Sequence, residues 1–207
     1  EEINFIVPSG NFGNVFSANV AKKMGLPIQK LHITTNQNDI LHSSINKGIM
    51  NKNIVTQTYS PSMDIQISSN FERQLFESAN RNSEKIKDMF QEFSDNGSYT
   101  IEKDILDDLQ SIYSTTAVND EKTLSTIKLI NDKFDYMADP HTATGLSVLL
   151  NNDKNETWVS LACAHPAKFS NAIEKAIGKP AVLPKELSKL FDKEEKMTIL
   201  PNTTDTI

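Results

Sequence analysis

Apolar positions along the chain alternate between strand-like runs and helical stripes. Ile3, Phe5, Ile6 and Val7 form a short β-rich run that suits a buried strand. Phe16, Val20 and Met24 then recur every four residues, which places them on one helical face, with Asn14 or Ser17 as the N-cap. Gly25 and Pro27 stop that helix, and Leu31 to Thr34 reads as a second strand. Strand, loop, helix and strand fit within about 30 residues, the size of a βαβ unit.

Residues 36–53 are polar with one short helical stretch, and 68–93 read as helical throughout, with Phe71, Leu75, Phe76, Ile86, Met89, Phe90 and Phe93 as apolar stripes. A turn follows at Asp95-Asn96-Gly97-Ser98. The pattern then predicts helix running into strand over 101–113, an amphipathic helix over 122–134 and a helix over 141–150 behind Pro140. Residues 157–162 read as a buried strand and 167–177 as a helix ended by Gly178-Lys179-Pro180. Helices alternating with sparse strands predict an α/β fold, with a mostly parallel sheet and flanking helices.

Composition narrows the function classes. The 207 residues carry 38% hydrophobic and 23% charged residues, an ordinary globular balance for one domain or one domain with a small appendage. A net charge of −6 argues against nucleic acid, since phosphate neutralisation needs clustered Lys and Arg. No apolar run is long enough for a membrane span, and no secretory signal pattern opens the chain. The lone Cys163 forms no internal disulfide, which fits a reducing cytoplasm. The chain opens at Glu1-Glu2, directly before a strand and without methionine, and is therefore read as a fragment.

Four clusters carry candidate chemistry. Two of the chain's seven glycines, Gly10 and Gly13, fall in Pro8-Ser9-Gly10-Asn11-Phe12-Gly13-Asn14, between the first strand and the first helix. Such a loop presents backbone N–H groups to an anion at the positive end of the helix dipole; the other reading is a plain connection that needs glycine for its backbone angles. It lacks the Gly-Lys-Ser/Thr ending of a P-loop and the G-x-G-x-x-G dinucleotide pattern. Cys163 and His165 follow a strand, where α/β sheets bind ligands, or else serve as a small core thiol and a structural histidine. Asp139-Pro140-His141-Thr142-Ala143 opens a helix, and Thr35-Asn36-Gln37-Asn38-Asp39 follows a strand; both patterns also suit helix capping. Residues 93–99 imitate a calcium loop, but Lys103 stands where its bidentate acid belongs. The four histidines show no metal-ligand spacing, so no metal site is expected.

Taken in order, these motifs resemble the carboxyl-terminal half of the microbial threonine synthase family. They are Val7-Pro8-Ser9-Gly10-Asn11-Phe12-Gly13-Asn14, Thr35-Asn36-Gln37-Asn38-Asp39, Ser62-Met63-Asp64-Ile65 with Ser69-Asn70-Phe71-Glu72-Arg73, Asp139-Pro140-His141-Thr142-Ala143 and Ala164-His165-Pro166-Ala167-Lys168-Phe169. The likeness runs from about Phe5 to Leu187. It implies a pyridoxal-phosphate (PLP) enzyme of the tryptophan-synthase-β-like fold that converts O-phosphohomoserine and water to threonine and phosphate.

The resemblance also assigns roles. Ser9, Gly10, Asn11, Phe12, Gly13 and Asn14 hold the cofactor phosphate, and Cys163 stands where the family usually has a threonine meeting the pyridine nitrogen. Asn36, Asn38, Asp39, His141 and His165 are the implied substrate contacts. The Schiff-base lysine lies upstream in the family, and Lys168 does not take its place. The chain is thus expected to be inactive alone, with the amino-terminal half of the same polypeptide as its partner and no catalytic residue of its own. Residues 1–185 are expected to form the larger cofactor-binding portion, with a helical insertion around 68–110, and 186–207 a tail. The alternatives are another PLP-dependent lyase or dehydratase of this fold, or a non-catalytic anion-binding module.

Overall fold

The computed structural model describes residues 2–152 and 155–204. Strand β1 (Ile3–Pro8) leads into helix α1 (Gly13–Lys23) and strand β2 (Ile28–Thr35), and β1 and β2 pair in parallel, so the anticipated βαβ unit forms. Helix α2 (Ile40–Lys47), strand β3 (Ile49–Asn51), helices α3 (Phe71–Ser78) and α4 (Ser83–Asn96), strand β4 (Ser98–Thr100) and helix α5 (Lys103–Ile112) follow. Strand β5 (Tyr113–Ala117), helices α6 (Asp120–Phe134) and α7 (Pro140–Leu149), strand β6 (Trp158–Ser160) and helix α8 (Ser170–Ile177) complete the order.

The main sheet runs β5-β2-β1-β6 with every pairing parallel. The carboxyl ends of all four strands therefore share one edge, which gathers the loops after Pro8, Thr35, Ala117 and Ser160. Val7, Leu31, Ile33, Val15, Leu41, Phe71, Leu75 and Leu109 join one core between the sheet and helices α1 to α5. Ile127, Ala143 and Ile173 form a second core joining α6, α7 and α8. A Cβ on Gly145 would come within 3.3 Å of Ile6 and 2.5 Å of the Ser160 hydroxyl, so its absence lets α7 lie directly on β1 and β6.

Several local expectations change. Helix α1 starts at Gly13 and is capped by neither Asn14 nor Ser17; the Ser17 hydroxyl donates back to the Gly13 carbonyl. Its buried positions are Val15 and Asn19, whereas Val20 and Met24 face solvent. The polar Asn19 takes the inner face because its amide donates to Gln74 at 2.8 Å, a buried hydrogen bond. The continuous helix over 68–93 is broken where Asn80 and Arg81 take left-handed backbone angles (φ 53° and 59°). Asn82 then caps α4 by accepting from the Lys85 N–H, chemistry that competes with helix continuation. The strand near 157–162 is only three residues long and half-exposed, because β6 is a sheet edge with β1 as its neighbour. A 3-10 turn over Pro166–Phe169 precedes α8. The antiparallel ribbon of β3 with β4 had no clear alternation to announce it.

Candidate functional site

The loop after β1 is built around Phe12. Its ring is buried against Phe71 at 5.0 Å and edge-on to Tyr113 at 5.4 Å. Its backbone is left-handed (φ 64°), which costs a residue with a Cβ roughly 1–2 kcal/mol. Ser9 holds that turn, its hydroxyl accepting from the Phe12 N–H at 3.0 Å while its own N–H donates to the Thr34 carbonyl. Phe12 is thus an anchor, and its N–H is already engaged.

The two glycines have different tasks, and neither supplies positive φ. A Cβ on Gly10 would meet the Met63 Cα at 3.0 Å, so this residue permits backbone to pack on backbone. A Cβ on Gly13 would meet only the Asn70 amide, at an ordinary 3.5 Å. Space is therefore left open over the start of α1. There the N–H groups of Gly13, Asn14 and Val15 have no partner among the described residues, as the first turn of a helix requires. Three free donors at the positive end of a helix make a cradle of the kind that suits an anion.

Asn11 braces this cradle. Its side-chain oxygen accepts from the Ser69 N–H at 2.6 Å and hydroxyl at 2.8 Å, and its carbonyl accepts from the Asn70 N–H. Beside this grip the Ser68 hydroxyl is buried with no partner among the described residues. Asn14 is exposed on the first turn.

Cys163 lies beyond the end of β6, the strand next to β1. Its N–H donates to the Thr142 hydroxyl at 2.8 Å. Although the residue is exposed, burial of its surroundings, and then the Asp139 carboxylate, push the thiol up to about 11, against a hydrogen bond with Thr142. The sulfur is therefore protonated at neutral pH. Burial works against ionisation of Asp139 as well, but hydrogen bonds from the His141 and Thr142 side chains and the His141 N–H outweigh it and hold the carboxyl below its usual range.

The other implied residues separate by environment. Asn36 and Asn38 are buried and donate to Asp64 at 2.7 and 3.0 Å, where Thr58 also converges through its N–H and hydroxyl. This network ties the loop after β2 to the segment 56–64. His141 is buried with both ring nitrogens engaged: Nδ1 meets Asp139 at 2.9 Å and Nε2 accepts from the Ser62 N–H at 3.1 Å. His165 is exposed and its Nδ1 accepts from the Ala167 N–H. Asp39 lines a cavity of about 610 Å³ with Gln37, Thr116, Asn119 and Asn151, at the carboxyl ends of β2 and β5. The resemblance singles out Ser62-Met63-Asp64-Ile65 but gives it no task; the structure supplies one, with Asp64 accepting from both asparagine amides and the Ser62 N–H donating to His141.

The chain matches the family described as "Threonine synthase, C-terminal" over residues 142–207. It is 38% identical to the threonine synthase of Pseudomonas aeruginosa over 97% of its own length and 43% of that protein's. The chain belongs to the threonine synthase family. Among solved threonine synthases, the PLP-bound protein from Brucella melitensis superimposes with a TM-score of 0.92 at 41% identity, over 99% of this chain and 44% of that one. The yeast enzyme gives 0.87 at 38% identity, over 94% of this chain and 43% of that one. The chain thus spans less than half the length of the relatives it matches, and its described residues share their α/β fold.

Proposed function

We propose that the chain forms the phosphate-holding and ring-nitrogen-holding side of a PLP site in a threonine synthase acting on O-phosphohomoserine and water. The observation that carries this reading is the cradle of three unpartnered N–H groups, one strand away from a protonated thiol. Its open space over Gly13 and its lack of basic side chains fit a phosphate held by backbone donors. Bound PLP supplies the electron sink for the substrate carbanion.

The chain's own residues orient that group. Gly13, Asn14 and Val15 bind its phosphate, with Ser9, Asn11 and Phe12 fixing the loop and Gly10 seating it on Met63. Cys163 offers the ring nitrogen a neutral thiol, so the nitrogen is not driven to full protonation by a carboxylate. Asn36, Asn38 and His141 act through the segments they hold, because their polar atoms are engaged within the protein. Asp39 and His165 retain solvent-facing polar atoms and are the proposed direct contacts to substrate. No lysine here matches the family's Schiff-base position, and that residue is assigned to sequence outside these 207.

The test is phosphate release by the full-length protein with PLP and O-phosphohomoserine. Release that depends on both, with threonine formed in equal amount, is the expected result. A protein that takes up PLP but deaminates serine or threonine instead would move the reading to a dehydratase.

A further inference from the structure

The cradle and Cys163 share no direct hydrogen bond among the described residues, yet a cofactor bridging them needs their spacing fixed. One buried pair reaches both. Asp139, 1% exposed, accepts five hydrogen bonds: the His141 N–H, His141 Nδ1 and the Thr142 N–H on one oxygen, the Thr142 hydroxyl and the Ala164 N–H on the other. One branch leaves through His141, whose Nε2 accepts from the Ser62 N–H, and the next residue, Met63, is the surface on which Gly10 of the cradle sits. The other branch leaves through Ala164 and through Thr142, which receives the Cys163 N–H. Nε2 accepts and Nδ1 faces a carboxylate, so a single ring tautomer satisfies both contacts. Phe169, with its ring 4.5 Å from the imidazole, holds the plane.

We propose that Asp139 and His141 are positioning residues that set the distance between the phosphate cradle and the Cys163 end. The pair thereby selects for a phosphorylated pyridine aldehyde that spans both, over phosphate alone. The inference rests on the PLP reading above. It goes beyond a helix cap: a cap would stabilise α7 without changing what the site prefers to bind.

The test uses the full-length enzyme stripped of cofactor. His141→Phe cuts the branch to Ser62 and keeps a ring against Phe169; Thr142→Val cuts the branch to Cys163. PLP affinity is read by fluorescence titration and inorganic phosphate affinity by competition. Each variant is expected to bind PLP about tenfold or more weakly, the scale on which supporting hydrogen bonds act at metal sites. Phosphate affinity should stay within about twofold, as for an independent site. Unchanged PLP affinity, or an equal fall for PLP and phosphate, would overturn the proposal. Should His141→Phe fail to fold, Thr142→Val decides alone by the same criteria. An unsubstituted enzyme that binds no PLP would instead overturn the cofactor reading, and this inference with it.

Discussion

The two glycines of the loop make opposite demands of a substitution. Gly10→Ala would push a methyl group against the Met63 backbone at 3.0 Å, and overpacking of that kind costs about 1–3 kcal/mol. Gly13→Val meets no backbone and no positive φ, and instead fills the space over the helix N-terminus. Denaturant unfolding of the full-length protein should show the first loss, and dialysis of cofactor absorbance should show the second variant releasing PLP while remaining folded. A Gly13→Val protein that keeps its cofactor through dialysis would remove the cradle from the site. Cys163 yields a kinetic test. With its thiol near 11, alkylation of the cofactor-free protein should keep accelerating about tenfold per pH unit beyond pH 9, where an ordinary thiol levels off. Bound PLP should slow the reaction; equal rates with and without it would detach Cys163 from the ring nitrogen.

Elements show where the sequence could be read and where it could not. The βαβ unit was legible because Ile3 to Val7 and Leu31 to Thr34 are bounded by Gly and Pro signals, which act locally. The inner face of α1 was not, since Asn19 is buried only because Gln74, 55 positions away, accepts its amide. The break at Asn80 and Arg81 was hidden by apolar stripes that continue in phase on both sides. At the candidate site, the motifs singled out the loop and Cys163 for a proposal, while the partners of Asn36 and His141 emerged only once Asp64 and Ser62 were placed beside them. Helix α7 carries a pH prediction of its own. The folded carboxyl of Asp139 is depressed, so its contribution is fully present above its ordinary value near 3.8 and is lost as pH falls through the lower folded value. Asp139→Asn should therefore lower the melting temperature strongly at pH 7 and less at pH 3. A gap that widens on acidification would contradict the carboxylate's role.

At the scale of the whole molecule, the proposed reading gives these residues one side of the site. Mixed with PLP and O-phosphohomoserine, the 207-residue chain should release no phosphate above background, because that reading assigns the Schiff-base lysine to sequence outside these 207. Measurable turnover by the chain alone would relocate that lysine to within these residues.

The sheet order also governs when such a site comes into being. β2 follows β1 almost at once, but the strand on its other side, β6, lies about 150 positions later, as the Asn4–Glu156 contact records (a separation of 152). At ribosomal speeds of roughly 5–20 residues per second, β1 waits on the order of 8 to 30 s with that flank uncovered. Within these residues the loop after β1 is therefore made long before the strand that covers its other side, and Cys163 follows that strand. On the proposed reading of the site, a ribosome stalled before Trp158 would display the phosphate cradle without Cys163, and the chain released from it should not retain PLP.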